Sequence, residues 1–393
     1  MGKETVISVY LFFFKIIFNA CKLFLTKKKV SFVISFEENA TFLYKEMQCQ
    51  QVSFDVVFLC SNVAVYRAIR NKFPSVKVRY ISLKNIKEWL LSIFHLATSK
   101  VLIVDNYFPF LAAITFKKDV ECIQIWHAAG ALKTFGLQDK AISKRTKKAH
   151  QRFHSVYNQF HKVVVGSEKM GQIFMKSFGL PYERMLPTGV PRTDFFYDSE
   201  QQCKIRAKLY QDYPNFKGKK VILYAPTFRH GRLDNQEVNL DFDELYNELK
   251  EQFVFIVKLH PAVQVNLDFE KLYPDFIYDF SRYKNVNELL VITDYLITDY
   301  SSIPFEFAIM RKPMIFYSYD LEEYKREQGV IDKYERVVPG PIVKNTEELI
   351  ELILHCSFDK SKIHDFSIEW NEYSKGTSSK QLVKYILNKL DSV

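Results

Sequence analysis

The chain alternates short apolar runs, typical of buried strands, with longer stretches that have the hydrophobic periodicity of helices. In the first half this pattern predicts strands at residues 30–36, 54–60, 76–82, 101–105, 122–126 and 162–165. In the second half it predicts strands at residues 221–225, 253–258, 276–279, 295–298 and 314–317. Because such alternation is typical of parallel sheets covered by helices, we expect an α/β protein with two doubly wound domains.

Composition changes at two places along the chain. Residues 1–29 combine apolar and aromatic side chains with six lysines. A polar, turn-rich stretch at residues 201–220 separates the two series of strands and is predicted to be a linker. The expected organisation is an N-terminal amphipathic helix at residues 1–29, a first domain at 30–205 and a second domain at 206–393. Residues 381–390 have the pattern of an amphipathic helix, which we assign to the second domain as a closing helix that can pack back across the domain boundary.

The N-terminal segment, residues 5–25, is rich in apolar and aromatic side chains. Lys15, Asn19 and Lys22 interrupt it at spacings of four and three, so a helix here has one narrow polar face and a wide aromatic face. A lysine in the middle of a membrane span costs about 2.5–3.5 kcal/mol, whereas a helix lying flat leaves the ammonium among the headgroups. Three lysines follow the segment, in place of the small residues of a signal-peptide cleavage site. We therefore expect contact with a membrane surface, with a first helix buried against the protein body as the alternative.

Positive charge is concentrated in two clusters. The chain has Lys+Arg 55 against Asp+Glu 45, a net charge of +10. Residues 1–30 hold six lysines and one acidic residue, and residues 131–169 hold nine lysines and arginines and two acidic residues. Within the second cluster we predict a helical run that carries Lys140, Lys144, Arg145, Lys147, Lys148 and Arg152. This run lacks the aromatics and glycines of a single-strand binder, so the expected partners are anionic lipid headgroups or a lipid diphosphate, and not nucleic acid.

Neither a disulfide framework nor a metal site is indicated. The six cysteines have no short spacing, which fits a reducing, cytoplasmic compartment. A P-loop, a GxGxxG after the first strand, HExxH and paired CxxC motifs are absent from the sequence. Asp241 and Asp243 have the spacing of a chelating pair but precede a helical stretch, so N-capping explains them better. We therefore expect a metal-independent reaction without a cofactor.

Polar residues follow several predicted strands, at the sheet edge where open α/β proteins bind ligands. These residues are His127 in the first domain and Thr227, Arg229, Lys258, His260, Ser301, Ser302 and Glu306 in the second. Each has a purely structural alternative, because a lone histidine is often a core residue, serines cap helices and a first-turn glutamate compensates the helix dipole. If they form a site, the cations, the histidine and the helix beginning at the serines suit a phosphate-rich ligand.

Four motifs resemble the CDP-glycerol glycerophosphotransferases of teichoic acid synthesis. They are residues 124–136 (QIWHAAGALKTFG), 224–229 (YAPTFR), 258–261 (KLHP) and 298–302 (TDYSS), and their order and spacing agree over most of residues 30–390. The resemblance implies a GT-B-like pair of Rossmann-like domains facing a cleft, with 30–205 as the acceptor domain and 206–393 as the nucleotide-donor domain. It also implies CDP-glycerol as the donor and a polyprenyl-diphosphate-linked disaccharide as the acceptor.

The resemblance also implies roles for single residues. His127 matches the general base, His260 matches the histidine that assists the donor diphosphate, and Ser301 and Ser302 match a phosphate-binding pair. The other expected donor ligands are Thr227, Arg229, Lys258 and Glu306, and the expected acceptor or lipid ligands are Lys133, Lys144 and Lys148.

The family branch and the cellular setting are implied by the same resemblance. Polymerising members usually have Trp-His-Gly where this chain has Trp-His-Ala, and they usually carry further N-terminal domains. The sequence is therefore more similar to the primase branch, which adds the first glycerol phosphate and releases CMP. The alternatives are a polymerising glycerol- or ribitol-phosphate transferase, a GT-B glycosyltransferase or epimerase that uses a nucleotide sugar, and a membrane-bound scaffold without activity. The implied location is the cytoplasmic face of the cell membrane, peripherally attached, with other teichoic acid enzymes as further partners.

Overall fold

The computed structural model describes residues 2–229, 239–260, 263, 268–331 and 333–391, without the side chains of residues 3, 143 and 144. The chain divides into two compact units. The first unit contains Met1–Ala129, Phe135–Asp194 and Asn371–Val393, and the second contains Gly130–Thr134 and Phe195–Trp370.

The first unit is built on a seven-stranded sheet in which every pair of neighbouring strands is parallel. The order of its strands is β3-β2-β1-β4-β5-β6-β7, so the chain reverses its direction of progress between β1 and β4. The strands are β1 (Lys27–Ile34), β2 (Asp55–Cys60), β3 (Lys77–Tyr80), β4 (Ser99–Val104), β5 (Glu121–Gln124), β6 (Lys162–Val164) and β7 (Met185–Leu186). The helices are α1 (Lys3–Cys21), α2 (Glu38–Cys49), α3 (Val63–Lys72), α4 (Ile86–Thr98), α5 (Lys147–Tyr157) and α6 (Glu168–Phe178).

The second unit is built on a six-stranded parallel sheet of order β10-β9-β8-β11-β12-β13. Its strands are β8 (Lys220–Tyr224), β9 (Phe253–Val257), β10 (Ile277–Asp279), β11 (Tyr295–Thr298), β12 (Met314–Tyr317) and β13 (Ile342–Val343). Its helices are α7 (Ser199–Asp212), α8 (Phe242–Leu249), α9 (Phe269–Leu272), α10 (Val286–Ile292), α11 (Ile303–Phe307), α12 (Leu321–Glu327), α13 (Tyr334–Val337), α14 (Thr346–His355) and α15 (Lys360–Trp370). The prediction of two Rossmann-like, parallel-sheet domains is therefore confirmed.

All eleven predicted strands are present, and β7 and β13 were not predicted. Each of the two additional strands has only two residues and lies at an edge of its sheet, which is too short for a periodic pattern to be recognised. The N-capping interpretation of Asp241 is confirmed, because its Oδ1 accepts the backbone N–H of Glu244 at 3.0 Å and α8 begins at the next residue.

The unit boundaries differ from the expected domain boundaries. The predicted linker at 201–220 is largely helix α7, and this helix packs against α10 in the second unit. The final helix, α16 (Ser378–Asp391), packs on α2 and β4 and belongs to the first unit rather than the second. Asp194 fixes the start of α16, because its carboxylate accepts the backbone N–H groups of Ser378 and Ser379 at 2.9 and 2.8 Å.

Helix α1 has one buried and one exposed apolar face, and membrane contact stays a prediction. One face packs against α4 and the 3₁₀ helix Pro109–Ala113, with Phe14 and Phe18 fully buried. The opposite face leaves Val6, Val9, Phe12, Phe13 and Ile16 between 43% and 60% exposed. By length and composition, residues 4–21 would also be sufficient to cross a membrane.

The basic run at 140–152 is not one helix, as predicted, but two. A 3₁₀ helix covers Lys140–Lys144, and α5 begins at Lys147 because the Thr146 hydroxyl accepts the backbone N–H of Ala149 at 3.2 Å. Arg152 on α5 forms a bidentate ion pair with Glu4 of α1, at 2.9 and 3.1 Å. The hydrogen bond from Arg152 lowers the pKa of Glu4, and the charges of Lys148 and Arg145 add to this effect. The basic end of α5 and the beginning of the apolar helix therefore lie side by side.

Candidate active site

His127 follows β5 at the carboxyl edge of the first sheet, and two aromatic rings and a backbone carbonyl contact its imidazole. The Phe36 and Trp126 rings stack on it, with centroid distances of 4.5 and 4.3 Å. Nδ1 lies 3.1 Å from the backbone oxygen of Asp105. Since a carbonyl only accepts hydrogen bonds, this contact favours the tautomer with the proton on Nδ1 and the lone pair on Nε2. The role of His127 as a general base stays a prediction, and this tautomer is compatible with it.

Asp105 follows β4 and organises the loop opposite His127. Its carboxylate accepts the backbone N–H of Ser35 at 2.9 Å and that of Phe36 at 2.7 Å. Burial raises the pKa of Asp105 to about 7, against the effect of these hydrogen bonds. Asp105 holds the backbone of Phe36 and also supplies the carbonyl for His127, so it supports two of the contacts that the imidazole makes.

Arg192 is a polar residue near His127 that the sequence pattern did not identify. Its Nη1 donates to the backbone oxygen of His127 at 3.0 Å. It lies in the 3₁₀ helix Pro191–Tyr197, a few residues beyond β7. Its position after a strand could have identified Arg192 as a candidate, but β7 has only two residues and was not predicted.

In the second unit, Arg229 is bound by acidic residues. Its guanidinium donates to the Asp320 carboxylate at 2.8 and 3.0 Å and lies 2.8 Å from Oδ2 of Asp299. Burial opposes the charge of Arg229, but the carboxylates of Asp299 and Asp320 outweigh it and raise its pKa. Asp299 also accepts the backbone N–H of Thr227 at 2.8 Å. Arg229 therefore ties together the loops that follow β8, β11 and β12.

His260 follows β9 as predicted, and Lys258, predicted as the last residue of that strand, is the first residue after it. The Lys258 ammonium donates to the backbone oxygen of Ser281 at 2.9 Å, and burial lowers its pKa. The His260 side chain is exposed, and its ring lies 4.8 Å from that of Phe228. Lys258 and His260 thus lie on one loop of the second unit, whereas His127 belongs to the first unit.

The serine pair and Glu306 lie at the beginning of α11, which has only five residues. The Ser301 hydroxyl, rather than that of Ser302, accepts the backbone N–H of Ile303 at 3.3 Å. Glu306 is fully buried within α11. The predicted roles of these residues in donor binding, and that of Thr227, stay predictions.

The three predicted acceptor or lipid ligands are divided between the two units. Lys133 belongs to the second unit, where it forms an antiparallel bridge with Val330. Burial lowers the pKa of Lys133, and the nearby Asp299 carboxylate opposes this shift. Lys148 is exposed on α5 in the first unit. The side chain of Lys144 lies outside the described part of the structure.

Within the described residues, no group of three or more His, Cys, Asp or Glu side chains is arranged to hold a metal ion. All six cysteines are free thiols. The expectation of a metal-independent reaction stays a prediction.

Comparison with known proteins agrees with this architecture. Over 381 residues the chain is 40% identical to the teichoic acid glycerol-phosphate primase of Bacillus subtilis (strain 168), and the match covers 97% of both chains. It is 36% identical to the teichoic acid poly(ribitol-phosphate) polymerase of Bacillus spizizenii over 89% of this chain but only 54% of that protein. A structure of a variant of the wall teichoic acid polymerase TagF with CDPG superimposes with a TM-score of 0.79 and 22% identity, over 96% of this chain and 94% of the other.

The family assignment covers nearly the whole chain. Residues 15–388 match the family of CDP-Glycerol:Poly(glycerophosphate) glycerophosphotransferases. The fold, with two parallel-sheet units, and the 40% identity over 97% of the chain are in accord with this match. The chain therefore belongs to the CDP-glycerol:poly(glycerophosphate) glycerophosphotransferase family.

Proposed function

We propose that this protein performs the priming step of wall teichoic acid synthesis. It transfers glycerol phosphate from CDP-glycerol to a hydroxyl of a polyprenyl-diphosphate-linked N-acetylmannosaminyl-N-acetylglucosamine and releases CMP. The observation that carries the proposal is the likeness to a glycerol-phosphate primase along 97% of both chains. The geometry around His127 supports a transfer that begins with removal of a hydroxyl proton.

In the proposed mechanism, Nε2 of His127 accepts the proton of the acceptor hydroxyl. The hydroxyl oxygen attacks the glycerol-bearing phosphorus, the bond from this phosphorus to the CMP oxygen breaks, and CMP leaves with the electron pair. A positioned general base of this kind contributes typically about 10²–10⁴-fold to the rate. The stacked rings and the Asp105 carbonyl support this role because they fix the orientation of the imidazole before substrate binds.

The second unit is proposed to hold the donor. Lys258, His260 and the Ser301–Ser302 turn are assigned to its phosphates, with Glu306 and Thr227 as further ligands. His260 stabilises the negative charge that grows on the departing CMP. Arg229 contributes mainly through the loops it joins, because its guanidinium already pairs with Asp299 and Asp320.

Attachment to the cytoplasmic face of the membrane is proposed to use α1 and α5 together. The exposed apolar face of α1 enters the interface between headgroups and acyl chains, and Lys148 and its basic neighbours on α5 attract anionic headgroups or the acceptor diphosphate. The Glu4–Arg152 ion pair supports this proposal because it holds the two surfaces next to each other.

A polymerising activity is the second candidate, favoured by the 36% identity to a poly(ribitol-phosphate) polymerase. Two synthetic acceptors distinguish the candidates: the lipid disaccharide, and the same lipid with one glycerol phosphate already attached. Priming predicts a single product from the first acceptor and no extension of the second. A ladder of products from either acceptor with radiolabelled CDP-glycerol would contradict priming, and a parallel reaction with CDP-ribitol tests the ribitol alternative.

A further inference from the structure

The chain adopts an uncommon conformation immediately before His127. Trp126 has a φ of 51°, in the left-handed region that residues other than glycine rarely occupy. A residue in this region persists only where the surrounding structure holds it, and such residues concentrate at functional sites. The contacts that hold Trp126 therefore also determine how the imidazole is presented.

Two buried amide side chains hold this turn. The backbone N–H of Trp126 donates to Oε1 of Gln124 at 2.8 Å, and the Trp126 carbonyl accepts Nδ2 of Asn39 at 3.0 Å. Gln124 is completely buried, and Asn39 is 4% exposed. Both peptide groups of Trp126 are thus hydrogen-bonded to side chains that solvent does not compete for.

Asn39 also reaches the other side of His127 through Arg192. Its Oδ1 accepts the backbone N–H of Arg192 at 3.0 Å, and Nη1 of Arg192 donates to the His127 carbonyl at 3.0 Å. The Asn39 side chain therefore connects Trp126, which precedes His127, with Arg192, which binds the His127 carbonyl. Asn39 comes from the beginning of α2, far from His127 in sequence.

We propose that Asn39 is a positioning residue for the base: by holding the carbonyl of Trp126 it maintains the left-handed turn that presents the His127 imidazole. The inference rests on the proposed function in taking His127 as the base. Without the Nδ2 donor, Trp126 relaxes towards ordinary backbone angles, its ring leaves the stack on His127, and Nδ1 loses the Asp105 carbonyl.

Two substitutions separate the donor of Asn39 from its acceptor. Asn39→Asp keeps an oxygen for the N–H of Arg192 but has no N–H for the Trp126 carbonyl, and Asn39→Ala removes both. We expect both variants to lower kcat about 10- to 100-fold, as displacement of a reacting group does, with the KM for CDP-glycerol unchanged within about twofold. Parental kcat in Asn39→Asp would overturn the proposal.

Two further variants separate positioning from general destabilisation. Asn345 caps α14, because its Oδ1 accepts the backbone N–H of Glu348 at 2.8 Å. Asn345→Ala removes this cap and should lower the unfolding temperature but not kcat. In a His127→Ala background, Asn39→Ala should leave the residual rate unchanged, because the group that it positions is already missing. A further loss of about tenfold in that background would contradict the positioning role.

A measurement without turnover separates this inference from the proposed function. In protein labelled with ¹⁵N-histidine, the His127 ring signals should show the Nδ1-protonated tautomer in the parent and a mixture of tautomers in both Asn39 variants. If the parent protein does not consume CDP-glycerol, the proposed function fails and the ring signals still decide the positioning role. Unchanged His127 signals in both Asn39 variants would overturn the inference even in an active enzyme.

Discussion

Nδ1 of His127 lies 3.1 Å from the backbone oxygen of Asp105, and this contact favours the tautomer that has its lone pair on Nε2. Substitution of His127 by Gln or Ala should lower kcat by about 10²–10⁴-fold, because the acceptor hydroxyl then keeps its proton until late in the attack. The KM for CDP-glycerol should change little, since the donor is assigned to the second unit. Steady-state release of CMP measures both constants.

The control for this substitution is His355→Ala, an exposed histidine at the end of α14 that should have no effect on either constant. A folded His127→Ala enzyme that turns over at the parental rate would exclude His127 as the base.

Neighbouring phenylalanines on α1 have opposite environments and should have separable functions. Phe14 is completely buried, so Phe14→Ala should cost about 3–5 kcal/mol of unfolding free energy. Phe13 is 54% exposed, so Phe13→Ser should leave stability nearly unchanged but weaken sedimentation with vesicles that contain anionic lipid. Equal vesicle binding by the parent and Phe13→Ser would argue against the membrane role of this face.

Arg229 should be more important for stability than a ligand residue normally is. Its removal leaves Asp299 and Asp320 with uncompensated charge in a buried position, so Arg229→Ala should cost about 3–5 kcal/mol in urea unfolding. A second substitution, Asp320→Asn, should recover part of the loss. Lys204→Ala, which removes an exposed ion pair with Glu200 on α7, should cost less than about 1 kcal/mol. A small effect of Arg229→Ala would mean that the Asp299 and Asp320 contacts contribute little.

Sequence periodicity was sufficient for most of the fold, because strands buried on both faces are continuous apolar runs. Predicted strands β11 and β12 even have the observed bounds. The pattern failed where structure depends on a single side chain or on distant contacts. Thr146 divides the basic run into two helices, and the contact between Lys133 and Val330 joins residues far apart along the chain.

Similar reasons explain what was missed at the candidate site. His127 was predicted because it follows a clear strand and precedes small residues, whereas Arg192 follows a strand of two residues. Asp105 was predicted only as the last residue of a strand, since nothing local shows that its carbonyl meets an imidazole. Asn39 appears in sequence as an ordinary residue in the first turn of a helix.

Lys29 introduces a pH dependence of stability that is separate from catalysis. It is 3% exposed at the beginning of β1 and donates to the Thr98 hydroxyl at 2.7 Å. Burial lowers its pKa to about 8, below the value of about 10.4 of an unfolded lysine. The folded state therefore disfavours the charged ammonium, and the contribution of Lys29 to stability is present above about pH 10 and is lost as the pH falls through about 8.

Lys29→Met should therefore raise the unfolding free energy at about pH 7 by about 1–3 kcal/mol, and the gain should disappear near about pH 10. Thermal unfolding of both proteins at the two pH values measures this difference. A gain of equal size at both pH values would show that packing, rather than charge burial, is responsible.

The most direct test of the central claim offers radiolabelled CDP-glycerol and a UDP-sugar separately to the purified protein, together with the lipid-linked disaccharide. A CDP-glycerol glycerophosphotransferase should form CMP and labelled glycerophosphoryl lipid in equal amounts from CDP-glycerol and should leave the UDP-sugar unchanged. Turnover of the UDP-sugar, or release of CMP without labelled lipid, would contradict the account.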